Sequence, residues 1–151
     1  ALIGGFNIIG SLGSGLIGQR WSKKKSLSFI YLFRGLLILG LMLLPKTETV
    51  LFVFSASMGL LWLSTVPLTS GIIAQVFGLR YMATLFGIVF LSHQLGSFLG
   101  IWLGGLLFDA TGSYDVVWWL GAALGLAAAI VHWPIDEKPL SRLAIKKANA
   151  T

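Results

Sequence analysis

The stretch Arg80–Tyr114 reads RYMATLFGIVFLSHQLGSFLGIWLGGLLFDATGSY, and from Met82 to Phe108 it holds no Lys, Arg, Asp or Glu. At about 1.5 Å of rise per residue, such a run outlasts a hydrocarbon core about 30 Å thick, so it predicts a helix that crosses a bilayer. Ser92, Gly96, Gly100 and Gly104 recur at every fourth position. They form a smooth strip on which another helix can lie close. Ser92, His93 and Gln94 place polar groups near mid-span, and Asp109, Gly112 and Asp115 mark the exit into water. A closely packed helix with a polar centre predicts a polytopic membrane protein that handles something polar.

Composition agrees with that reading. Of 151 residues, 56% are hydrophobic and 11% charged, and the mean hydropathy is +0.89. Soluble domains carry roughly 25% charged residues. The chain has no cysteine, which excludes disulfides and thiolate metal sites. The net charge of +6 sits between and after the apolar runs, where membrane topology places basic residues, so nucleic-acid binding is not expected. The chain begins with Ala1 inside an apolar run, with no basic n-region, so a signal peptide is not predicted.

Working outward, the apolar runs predict an all-α membrane protein with five transmembrane helices, at about residues 1–18, 27–44, 49–77, 82–108 and 116–133. A tail follows over 136–151; with Pro134 and Ile135 ahead of it, it is expected on the membrane surface or disordered. In the first span Gly10, Ser14 and Gly18 repeat the four-residue spacing, and Asn7 and Ser11 add polarity one turn apart. The third span is longer than one straight crossing needs and contains Pro67, which predicts a kink there. The hydroxyls of Ser64, Thr65, Thr69 and Ser70 are placed to satisfy the backbone groups freed by it. In the fifth span Gly121, Gly125 and Ala129 form another small-residue strip, while Trp118, Trp119 and Trp133 suit the two interfaces.

The five spans put the 19–26 loop, the Gly78–Arg80 turn and the tail on one side. That side carries Arg20, Lys23, Lys24, Lys25, Arg80, Lys138, Arg142, Lys146 and Lys147. The other side has Lys46 beside Glu48, Asp109 and Asp115. This bias predicts a cytoplasmic C-terminus, with Ala1 outside. An odd number of spans further predicts sequence upstream of Ala1.

The loop GLIGQRWSKK, Gly15 to Lys24, resembles the signature between paired helices of the major facilitator superfamily, Gly-x-x-x-Asp-Arg-x-Gly-Arg-Arg or Lys. Gly15, Arg20, Lys23 and Lys24 match, while Gln19 stands in place of the acid and Ser22 in place of the second glycine. Such a loop is a polar latch on the cytoplasmic ends of neighbouring helices; with Gln19 it keeps a hydrogen bond and loses a charge. The segments GLLWLSTVPLTSG, ATLFG, HQLGSFLG and GGLLFDATGSYD are similar to the last helices of bacterial facilitators related to monocarboxylate and oxalate/formate transporters. The resemblance implies spans eight to twelve of a twelve-helix fold in the bacterial inner (plasma) membrane. It also implies partnership with a missing N-terminal half and a seventh helix, and a midplane site between inverted repeats. Monocarboxylate carriers often place an acid and an arginine one turn apart on the eighth helix; here those positions hold Asn7 and Ser11. The substrate is therefore expected to be a small polar organic solute, carboxylates included.

Each candidate site residue has a functional and a structural reading. Arg34, the full charge inside a span, is either a substrate or coupling group, or a structural one that snorkels or forms an ion pair. His93 and Gln94 either relay protons and bind solute or make interhelical hydrogen bonds. Trp62 and Thr65 flank the Pro67 bend and line a site or pack; Asn7 and Ser11 line the cavity or bridge helices. Asp109 and Asp115 are expected to cap an external turn. No GxSxG, HExxH or P-loop pattern occurs, and the acids lie outside the spans, so neither an enzyme nor a cofactor is predicted. The leading expectation is a secondary transporter; the alternative is a non-transporting membrane scaffold or assembly subunit.

Overall fold

The computed structural model describes residues 1–140. It is all helical: α1 (Leu2–Arg20), α2 (Lys23–Leu43), α3 (Glu48–Trp62), α4 (Thr65–Phe77), a single 3-10 turn at Leu79–Tyr81, α5 (Met82–Thr111) and α6 (Asp115–His132). Ser22 and Thr47 open α2 and α3 by accepting the amides of Lys25 and Val50, as N-cap hydroxyls do. Four segments are long and apolar enough to cross a bilayer: Lys23–Leu43, Glu48–Phe77, Leu79–Thr111 and Asp115–His132. The expected fifth, α1, forms a 19-residue helix, but its glycines, Asn7 and serines dilute its hydropathy.

The expected kink is a full break, and it lies one turn before Pro67. The proline ring displaces the carbonyl four residues earlier, which is that of Leu63, and offers it no N–H. The helix therefore ends at Trp62 and restarts at Thr65. Pro67 falls in the first turn of α4, where a missing N–H costs nothing. The freed Leu63 carbonyl accepts the Val66 amide at 3.1 Å, and Ser64 donates its hydroxyl to the Leu60 carbonyl.

Two small-residue strips find partners. That of α1 lies along the broken helix: Gly10 meets the Leu60 backbone, Ser14 is buried, and Gly18 faces Leu68. That of α6 lies on α2: Gly125 packs on the backbone of Gly35, and Ser28 donates to the Ala129 carbonyl. The innermost apolar cluster is Leu27, Leu68, Ile72 and Val76, joining α2 to α4. The third strip is open. A Cβ at Gly96 or Gly100 would meet nothing within 4 Å, and one at Gly104 only Val117 at 3.9 Å. Helix α5 packs against α4, the 3-10 turn and α6, the last where Gly104 nears Val117 and Phe108 stacks on Tyr114.

Between α5 and α6, Gly112 takes the left-handed conformation (φ 69°) that lets the chain reverse. The turn is tied by Thr111 and Ser113: the Ser113 amide donates to Thr111 Oγ1, and the Asp115 amide to Ser113 Oγ. No capping bond from the expected Asp109 and Asp115 side chains occurs there, since hydroxyls closer to the reversal satisfy its amides.

The start of the tail lies against the basic end of the bundle. Ile135 packs on the α2–α4 apolar cluster, and the Leu140 amide bonds to the Val76 carbonyl of α4. Arg142, Lys146 and Lys147 lie outside the described residues.

Candidate functional site

The break between α3 and α4 leaves backbone groups unpaired near the middle of a long apolar segment, where water cannot satisfy them. Two side chains from other helices do so. Asn7 of α1 accepts the Leu63 amide on Oδ1 at 2.9 Å. Arg34 of α2 donates through Nη2 to the carbonyls of Leu61 and Trp62. Arg34 stands about 16 Å along α2 from Lys23, deep in the span. It turns inward to the break. Among the described residues no carboxylate pairs with it.

Three features stabilise the cation there. The C-terminal end of α3 carries partial negative charge, the sense that favours a cation. The Arg34 guanidinium carbon lies 5.3 Å from the Tyr31 ring centroid and 5.7 Å from that of Trp62, within the range of cation–π attraction. Tyr31 in turn stacks on His132 at 4.8 Å. The Arg34 Nε is buried and keeps one hydrogen bond unmade.

The break thus gathers Asn7, Arg34, Trp62 and Thr65 around the end of one half-helix and the start of another. Trp62 is 55% exposed and forms the open wall. Ser11 sits one turn beyond Asn7 on α1, its carbonyl accepting the Ser14 hydroxyl at 3.0 Å. The arrangement can hold a polar, electron-rich group against a cation and an aromatic face. His93 and Gln94 do not join it: they lie on the exposed middle of α5. There the His93 ring neighbours Phe90 at 6.1 Å, and its carbonyl accepts the Ser97 hydroxyl.

A second polar assembly occupies the end of the bundle that carries the basic loop. Of the loop signature, Gly15 lies deeper, beside Pro67, with 4.0 Å left for a Cβ. Lys23 Nζ donates to Gln75 Oε1 at 2.7 Å, and the Lys24 amide donates to Glu137 Oε1 at 2.6 Å. Gln19 and Arg20 instead line an open depression with Leu16, Ile17 and Trp21. Sequence reading missed Tyr31, Gln75 and Glu137. Gln75 left a signal, as an amide in the last turn of an otherwise apolar run. Among the described residues no group of His, Cys, Asp or Glu is placed to hold a metal.

The sequence profile of the Major Facilitator Superfamily matches residues 1–150. The chain is 30% identical over 144 residues to an uncharacterized MFS-type transporter, YcxA, of Bacillus subtilis, covering 91% of this chain and 35% of that protein. It is 26% identical over 139 residues to monocarboxylate transporter 12-B of Danio rerio, covering 89% of this chain and 29% of that one. The chain thus spans about a third of the length of these relatives. No solved structure matches it.

Proposed function

Because the chain belongs to the major facilitator superfamily, we propose that it is the C-terminal part of a secondary transporter that moves a small polar organic solute across a membrane by alternating access. Carboxylates are the leading substrate class. The observation that carries this reading is the broken helix at Leu63–Ser64, held by Arg34 and Asn7. Discontinuous helices near the midplane are how many transporters build a solute site, with a half-helix N-terminus offering positive potential. Here the start of α4 supplies that potential and Arg34 adds a full charge. Retaining so costly a charge within a span favours function over packing alone. A monocarboxylate transporter among the relatives supports the same substrate class.

In this reading the basic end lies in the cytoplasm of a bacterial cell, and the N-terminal half of the same transporter completes the cavity. His93 and Gln94 on α5 face that half. Uptake by the full-length protein in vesicles is expected to fall about tenfold on His93→Ala and on Gln94→Ala, the loss of one hydrogen bond of about 1.4 kcal/mol. Unchanged uptake removes them from the route. A membrane scaffold would give no flux for any solute and would co-purify with a fixed partner.

A further inference from the structure

The loop between α1 and α2 resembles a latch signature but has Gln19 where the acid belongs. A carboxylate nevertheless reaches this loop from the other end of the chain. After α6 the backbone turns at Trp133 and Pro134 and runs back across the basic end. Ile135 seats itself against the Leu27–Leu68–Ile72–Val76 cluster. Glu137 then places its carboxylate on the Lys24 amide at 2.6 Å. That amide is among the first of α2, which have no partner within the helix, and an anion there meets the positive end of the helix dipole.

The same segment also holds the far end of α4. The Gln75 side-chain amide donates to the Glu137 carbonyl at 2.9 Å, and the Leu140 amide donates to the Val76 carbonyl at 3.1 Å. Val76 belongs to the last turn of α4, whose carbonyls lack helical donors. Gln75 closes the circuit, since its oxygen accepts Lys23 Nζ at 2.7 Å. The Lys23 chain reaches this position by lying over Gly71, where a Cβ would stand 3.0 Å from its Cε. The start of α2 and the end of α4 are therefore joined twice, directly through Lys23–Gln75 and indirectly through residues 134–140.

We propose that residues 134–140 form a strap that makes α2 and α4 move as one body at the basic end, with Glu137 supplying the carboxylate that Gln19 does not. Glu137 is a positioning residue: it touches no solute and acts by fixing α2 against α4. The coupling matters because α2 carries Arg34 and α4 begins at the helix break. A strap that ties their basic ends sets how far Arg34 can travel from the Leu61 and Trp62 carbonyls. The effect on transport rests on the transporter reading; the strap itself does not.

The test is hydrogen exchange on the full-length protein, combined with uptake kinetics. Glu137→Ala is expected to raise exchange at the Lys24 amide about tenfold or more, since a charge-assisted hydrogen bond is lost. It should also change the maximal uptake rate at least twofold with little change in KM. Glu137→Gln, which keeps an acceptor oxygen, should restore most of the protection. Asp136→Asn, whose carboxylate binds the nearby Lys138 amide among the described residues, serves as the control and should change neither. Unchanged exchange in Glu137→Ala overturns the strap. Raised exchange with unaltered uptake overturns its role in movement. If the unaltered protein carries no solute, the transporter reading fails, while the exchange result still decides the strap.

Discussion

Arg34→Leu is expected to reduce uptake by about 10- to 100-fold while leaving the folded protein within about 2 kcal/mol of its original stability. The two halves of that expectation come from opposed terms. Leucine removes the donors to the Leu61 and Trp62 carbonyls; at about 1–3 kcal/mol for each buried acceptor left unpaired, the pair costs about 2–6 kcal/mol. It also removes a cation from the middle of a span, where placing arginine costs about 2.5–3.5 kcal/mol. These terms overlap in size and are opposite in sign, so most of the cost cancels. Solute recognition has no such compensation, because leucine offers nothing to an anionic or polar group. Arg34→Lys keeps the charge but presents it as a point donor without the planar fork, and an intermediate loss of uptake is expected. Uptake and a thermal melt in detergent check both halves. Full uptake with a collapsed melting temperature would make Arg34 a structural clamp only.

Gly10→Ala is expected to destabilise the protein by about 3 kcal/mol, the upper range of overpacking. A Cβ at Gly10 would run into the Leu60 carbonyl group, and one at the facing Gly59 would stand 2.7 Å from the Ile3 carbonyl oxygen. Both obstacles are backbone, which cannot swing aside as a side chain does, so α1 must lift from α3. Lifting also draws Asn7 away from the Leu63 amide, which it holds at 2.9 Å. Gly13 on the same helix meets nothing within 4 Å. Gly13→Ala should therefore be neutral or slightly stabilising, through helix propensity alone. A melt that separates the two variants supports the α1–α3 crossing; equal melts contradict it.

The helices were legible because charge is absent over such long stretches, a signal that needs no partner to interpret. The interruption of the third run was legible in Pro67, but its place was not, since proline acts on the carbonyl four residues earlier. The glycine strips announced close neighbours without naming them. Gly10 and Gly125 could equally have met lipid-facing or core helices until the backbones were in place. Arg34 and Glu137 were harder for a common reason. Both bind main-chain groups, Leu61 and Trp62 in one case and Lys24 in the other. A backbone carbonyl or amide has no letter in the sequence, so a search for a complementary acid or base finds nothing.

The open middle of α5 has a geometric consequence for what it presents to a neighbour. Thirty residues make a shaft about 45 Å long, set between Gly78 and Gly112, which are the positive-φ residues among those described. Neighbouring residues on it are offset by about 100°, so His93 and Gln94 present different polar groups to two different neighbours at the same depth.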